Sequence, residues 1–125
     1  MADKRGKTIL ICEDEEHIRA SICYVIEKLG MRCLQAYDGE QGYAMACSER
    51  PDLIILDVGM PGITGFEVCE KLRAESGFDN IPIVILTAFG QASDERRAFE
   101  VGADKYLTKP FSPRGLKTLL SEMLL

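Results

Sequence analysis

Five side chains capable of phosphoryl chemistry stand where short runs of Ile, Leu and Val come to an end. Glu13 and Asp14 follow the run Thr8 to Cys12, Asp57 closes Leu53 to Leu56, Thr87 follows Ile81 to Leu86, and Lys109 follows Lys105 to Thr108. Brought to one place they would form three carboxylates, a hydroxyl and an ammonium. Two unit charges about 4 Å apart repel by about 4 kcal/mol at an effective dielectric of about 20, so clustered acids need a shared proton or a cation. Oxygen donors select a hard divalent ion, Mg²⁺ in the first place with Mn²⁺ as the alternative. Such an ion works with one or two carboxylates, several waters and a substrate phosphate, which leaves Asp57 to act as a nucleophile toward phosphorus. Thr87 can donate one hydrogen bond to a phosphoryl oxygen, and Lys109 supplies a compact point charge. Gly59, two residues past Asp57, leaves its carbonyl open as a further metal ligand, and Pro61 with Gly62 then turns the chain.

Each of these residues has a plainer reading. Asp14, followed by Glu15 and Glu16, has the pattern of a helix N-cap with acids in the first turn. Thr87 alone is a strand-end hydroxyl, Lys109 before Pro110 a loop lysine, Tyr106 a half-buried strand aromatic, and His17 a solvated side chain. The plain readings together demand independent coincidence at four strand ends, and that favours a site.

The apolar runs are what must position these groups. Thr8–Cys12, Leu53–Leu56 and Ile81–Leu86 have the composition of strands covered on both faces. Arg32–Ala36 is more polar and suits an edge, and Lys105–Thr108 is brief, lying between Gly102 and Pro110. Between the strands, Ile18, Ile22, Val25, Ile26 and Leu29 recur on one helical face that stops at Gly30, and Leu116, Leu119, Leu120 and Met123 do the same near the C-terminus. Asp38 with Gln41, and Thr64 with Glu67, have the spacing of capping boxes, which predicts helices starting near Gly39 and Gly65. Ser93 to Val101 is the poorest helix, with only Ala98, Phe99 and Val101 apolar, and suits a mobile element. Alternating strands and helices with short linkers predict an α/β domain with one parallel sheet between two helical layers. The C-terminal strand ends then share one edge, where such sheets place their ligands.

Composition narrows the functions. At 125 residues the chain has room for one core, and no apolar stretch approaches the roughly 20 residues of a membrane helix. Lys4, Arg5 and Lys7 are followed by no hydrophobic segment of signal-peptide length and the chain shows no low-complexity tract, so the expected location is cytoplasmic, with no membrane partner. The net charge of −5 argues against direct nucleic-acid binding, which needs a basic face. The five cysteines, Cys12, Cys23, Cys33, Cys47 and Cys69, are dispersed, and one histidine cannot complete a zinc set, so they are expected as small buried thiols in a reducing compartment.

Taken in order, "ILICEDE" with Glu13 and Asp14, "LIILDVGMPG" with Asp57, "VILTA" with Thr87 and Ala88, and "YLTKPF" with Tyr106, Lys109 and Pro110 resemble the receiver domains of two-component response regulators, the chemotaxis receivers among them. The resemblance implies a flavodoxin-like (βα)5 fold with strand order 2-1-3-4-5, a tail over residues 1–6 and a receiver domain over 7–125. It further implies that Asp57 accepts a phosphoryl group from a sensor histidine kinase or a histidine phosphotransfer protein with Mg²⁺ bound. Asp14, Asp57 and the Gly59 carbonyl would be direct ligands, with Glu13 acting mainly through water. Lys109 would pair with Asp57 or its phosphate, and the Lys109–Pro110 bond would be cis. Thr87 and Tyr106 would be the switch residues that bias the surface of the fourth helix, fifth strand and fifth helix toward an output domain or protein. The family's catalysis is confined to its own phosphorylation and dephosphorylation, so an enzyme with an external substrate is not expected.

This sequence departs from the family at Gly59 and Phe89, two positions that border the phosphate, and at Ile63-Thr64, where Met-Asp is frequent and the helix cap is preserved. An unphosphorylated monomer is expected, with dimerisation on phosphorylation as the alternative. The chain fits either a stand-alone regulator or the receiver of a longer protein. Competing readings are a phosphatase or mutase with Asp57 as nucleophile, and a receiver-like binding module without phosphoryl chemistry. The dehalogenase-type hydrolases place a second acid two residues after the nucleophile, where this chain has Gly59, and the binding modules usually lack Asp57 or Lys109.

Overall fold

The computed structural model describes residues 6–88 and 92–124. Five strands and five helices alternate along it: β1 (Thr8–Cys12), α1 (Glu16–Lys28), β2 (Arg32–Ala36), α2 (Gly39–Glu49), β3 (Leu53–Asp57), α3 (Gly65–Ala74), β4 (Ile83–Thr87), α4 (Ala92–Glu100), β5 (Lys105–Thr108) and α5 (Pro113–Leu124). All strand pairs are parallel, and their order is β2-β1-β3-β4-β5. This is the flavodoxin-like arrangement.

Period-two alternation divides each central strand between two cores. Ile9 and Ile11 of β1, Leu53 and Ile55 of β3, and Val84 and Leu86 of β4 pack with Ile22 and Ile26 of α1 and Leu116 and Leu120 of α5. Leu10, Ile54, Leu56, Ile83 and Ile85 point the other way, toward Val68 and Leu72 of α3, Ala46 of α2 and Ala98 of α4. Every residue of β3 and β4 is buried, whereas β2 and β5 are partly open, as their composition and edge positions require.

Local signals set most helix starts. Asp38 accepts the Gln41 backbone N–H at 2.7 Å, and Thr64 with Glu67 forms a reciprocal capping box. Gln41 returns its side chain to the Tyr37 N–H instead of to the cap residue. The cap of α1 is Glu15, which accepts from the His17 N–H, so Asp14 is released from the capping role its position suggested.

The fourth strand begins at Ile83, two residues later than its apolar run predicts, and extends one further to Thr87. Pro82 has no N–H for the ladder, and the Ile81 carbonyl is claimed by Arg73. The cysteine reading also needs correction. Cys12 and Cys69 are buried thiols and Cys47 a partly buried one, but Cys23 on α1 and Cys33 on β2 are joined in a disulfide with Cα atoms 5.7 Å apart. The tight α1–β2 turn brings together two residues whose spacing of 10 carried no pairing signal.

Arg73, to which the sequence assigned no role, organises the far end of the sheet. Its guanidinium donates to the carbonyls of Gly102 (2.9 Å), Phe78 (2.6 Å) and Ile81 (2.8 Å) and pairs with Asp104 at 2.8 Å. Asp104 also accepts the Ile83 N–H at 2.9 Å, so one side chain ties α3 to the starts of β4 and β5. An Arg73→Met variant keeps the aliphatic stem but leaves these partly buried carbonyls unmatched. Urea unfolding should register a loss of about 2–3 kcal/mol, and a loss under about 1 kcal/mol would show the network to be dispensable.

Candidate functional site

Strand register assembles the site. Because Cys12 pairs with Leu56, the next residues, Glu13 and Asp57, stand side by side at the C-terminal edge. The Val58 N–H donates to the Leu86 carbonyl at 2.9 Å, and the Lys109 N–H donates to the Thr87 carbonyl at 2.6 Å, so the strand ends stay in step. Gly65 lets α3 approach this edge, since a Cβ there would lie 2.4 Å from the Asp57 carbonyl oxygen.

Glu13, Asp14, Asp57, Gly59, Thr87, Ala88 and Lys109 line one cleft of about 340 Å³. Glu13, Asp57 and Thr87 are buried, while Asp14 is exposed. The Lys109 ammonium sits 2.9 Å from Asp57 Oδ1 and 2.8 Å from Glu13 Oε1, bridging two neighbouring strand ends. Glu13 Oε2 accepts the Glu15 backbone N–H at 3.0 Å. Burial pushes the Glu13 carboxyl up, and the Asp57 charge adds to it, against the opposing pull of Lys109 and the Glu15 N–H. For Lys109 burial favours the neutral form, but the hydrogen bonds and charges of Glu13 and Asp57 outweigh it and hold the ammonium above the ordinary lysine value. The lysine is therefore a fixed cation at physiological pH.

One lysine does not balance this edge. Among the described residues, the cleft lining includes Glu13, Asp14, Glu15, Asp57 and Asp94 against the single cation Lys109. Glu13, Asp14 and Asp57 each present a carboxylate oxygen within 4.8 Å of the others. An all-oxygen, partly exposed, acidic cluster fits a hard divalent ion.

The remaining sequence candidates fall as follows. Tyr106 donates its hydroxyl to Glu95 on α4 at 3.1 Å, and Phe99 meets its ring edge-on at a centroid distance of 6.2 Å. The Lys109–Pro110 peptide bond is cis. A Cβ at Gly59 would lie 3.7 Å from Asp57 Oδ2, so a side chain at this position borders the carboxylate. Phe89, singled out for the same reason, lies outside the described residues. The sequence missed His17, Ile18, Ser21 and Phe111, which together with Pro110 line a groove of about 470 Å³ that shares Lys109 with the acidic cleft. The local signal was weak, because these residues come from α1 and the segment after β5 and meet only in the fold.

No helix among the described residues is long and apolar enough to cross a membrane.

The profile of the response regulator receiver domain matches residues 9–121. The phosphate regulon transcriptional regulatory protein PhoB of Pseudomonas aeruginosa is 44% identical over 95% of this chain, and the alkaline phosphatase synthesis transcriptional regulatory protein PhoP of Bacillus subtilis is 42% identical over 95%. The match covers 52% and 49% of those proteins, so the chain spans about half the length of the curated relatives it matches. Among solved structures, the chemotaxis response regulator CheY4 of Vibrio cholerae superposes with a TM-score of 0.90 at 33% identity, covering 94% of this chain and 98% of that one. The BeF3-activated N-terminal receiver domain of Klebsiella pneumoniae RstA gives 0.85 at 28% identity, with 94% and 98% covered. With the acidic cleft and its bridging lysine at the edge of a 2-1-3-4-5 sheet, these likenesses place the chain in the receiver-domain family of two-component response regulators, whose general function is to accept a phosphoryl group.

Proposed function

We propose that Asp57 takes the phosphoryl group, in a Mg²⁺-dependent reaction, from a phosphohistidine on a sensor kinase or histidine phosphotransfer protein. The observation that carries this reading is the Lys109 ammonium held between Asp57 and Glu13 at 2.9 and 2.8 Å, inside a cleft that still has acids to spare. Lys109 engages Oδ1 of Asp57, and the carboxylate keeps Oδ2 for attack on phosphorus. The new O–P bond forms as the P–N bond breaks, and the electron pair stays on the donor imidazole. Asp14, Asp57 and the Gly59 carbonyl would hold Mg²⁺, with Glu13 engaged through water, and the ion supplies positive charge against the phosphoryl oxygens. Lys109 and the Thr87 hydroxyl complete the set of donors to those oxygens. Water entering beside Gly59 then hydrolyses the acyl phosphate, so turnover is limited to the domain's own phosphorylation. The groove of His17, Ile18 and Phe111 next to Lys109 gives the donor a place to sit.

Switching follows from the same contacts. Movement of Thr87 toward a phosphoryl oxygen would open space for Tyr106 to leave Glu95 and turn inward, changing the surface of α4, β5 and α5. The receiver domain is assigned to residues 7–125, with a tail before it. The domain acts as a monomer that dimerises on phosphorylation at most, does not bind nucleic acid itself, and passes its state to an output domain or protein. The names of its relatives favour a transcriptional output. Its location is cytoplasmic, where the kinase finds ATP, and there the Cys23–Cys33 pair would meet the reducing thiol pool.

Three outcomes test this reading. Incubation with acetyl phosphate and Mg²⁺ should add about 80 Da to the intact mass, the addition disappearing without metal or in Asp57→Asn; absence of the adduct from the native chain would sink it. Glu13→Gln removes one charge from the crowded edge. Its metal-free melting temperature should rise by about 4 °C, equivalent to about 1 kcal/mol, and the extra rise on adding Mg²⁺ should shrink, which differential scanning calorimetry can read; an unchanged Mg²⁺ response would remove Glu13 from the metal site. Gly59→Asn places bulk beside Asp57 Oδ2 and should lengthen the phosphoprotein half-life by about threefold or more, whereas an equal half-life would show that water enters elsewhere.

A further inference from the structure

The loop that carries Glu13 and Asp14, two of the three clustered carboxylates, is three residues long, from Glu13 to Glu15 between β1 and α1. One side chain outside the cleft holds it. Arg19, half-buried on α1, donates from Nη1 to the Glu13 carbonyl oxygen at 2.9 Å. It also donates from Nε to Gln35 Oε1 at 3.1 Å, and its guanidinium lies 5.2 Å from the centre of the Tyr37 ring.

The geometry gives this contact a specific consequence. The Glu13 carbonyl belongs to the planar peptide unit that joins Glu13 to Asp14, and that plane includes the Cα atoms of both residues. A donor fixed on that oxygen sets the tilt of the plane, and with it the direction in which two carboxylates leave the backbone. The Glu13 N–H is already committed to the Ala36 carbonyl at 3.0 Å, so Arg19 supplies the restraint at the next peptide. Metal sites tolerate only about 0.5 Å of such freedom. The guanidinium suits the task because its planar fork serves Glu13 and Gln35 together while an aromatic face supports it.

We infer that Arg19 is a positioning residue for the divalent-cation site, acting through the Glu13–Asp14 peptide and anchored by Gln35 and Tyr37. This rests on the metal-dependent reading above. It touches neither the ion nor the phosphoryl group, so its removal should weaken cation binding while leaving the chemistry of the loaded site intact.

The test is cation affinity in the whole chain, with Mn²⁺ binding followed by electron paramagnetic resonance and Mg²⁺ by competition. Arg19→Met should raise the dissociation constant about tenfold, and Arg19→Lys, which can still reach one acceptor, should recover it to within about threefold of the native value. The rate of phosphorylation by acetyl phosphate should fall at low Mg²⁺ but return to within about twofold of native at saturation. Val25→Ala, which loosens the buried face of α1 away from the loop, should lower stability without changing cation affinity. The inference is overturned if Arg19→Met binds Mn²⁺ as tightly as the native chain, if Arg19→Lys restores nothing, or if Val25→Ala weakens binding as much. Should Arg19→Met not fold, Gln35→Ala keeps the arginine but removes one anchor and should weaken binding about threefold; native affinity in that variant would also overturn the inference. Failure of the native chain to bind either cation at tens of millimolar would instead bring down the metal-site reading itself, and this inference with it.

Discussion

The contact on which this structure turns is a single ammonium lodged between two buried carboxylates. Lys109 reaches from the end of β5 to Glu13 after β1 and to Asp57 at the end of β3, so one charge spans the whole functional edge. Without it the paired acids would face each other with little water to separate them. With it the edge remains negative, because further acids line the same cleft. A site poised in this way is stable enough to fold and keeps the negative charge on which the proposed cation binding depends.

The rest of the fold places that contact and reports on it. Two cores, one on each side of the sheet, have different tasks. The layer of α1 and α5 packs over the strands that carry the acids and forms the groove beside Lys109. On the other layer, Gly65 allows α3 to close over the backbone of Asp57, while α4 meets β5 through the Tyr106–Glu95 hydrogen bond and the ring of Phe99. At the opposite end of the sheet, Arg73 locks the turn before β5 to the turn before β4. The strands are thus held firmly where they begin. The charged chemistry is gathered where they end.

The disulfide, the Arg19 contacts and the Arg73 network share a feature that bears on how such sites are read. Each joins elements across a turn or across the sheet, the first through a sulfur–sulfur bond and the other two through a long arginine side chain. None involves a residue type whose presence at that spacing would announce it. Arg and Gln on a helix and a neighbouring strand are, in a sequence, ordinary surface residues.

The sequence by itself determined the order of elements, because buried parallel strands are written as short continuous runs of Ile, Leu and Val, and helix starts are written as capping pairs such as Asp38 with Gln41 and Thr64 with Glu67. It also placed Glu13, Asp14, Asp57, Thr87 and Lys109 at strand ends, and the rule that parallel strands share one edge was enough to bring them together. What it did not contain was register and long-range reach. That Glu13 stands beside Asp57 follows from the pairing of Cys12 with Leu56, and the pairing of Cys23 with Cys33 follows from how α1 turns back onto β2. The late start of β4 depended on Arg73 taking the Ile81 carbonyl from 8 residues away. Local patterns specify what a segment becomes, since propensity and periodicity act over a few residues. Which distant groups then meet was decided only by the packed tertiary structure, in which the sheet sets the distances between strand ends and the long side chains find their acceptors.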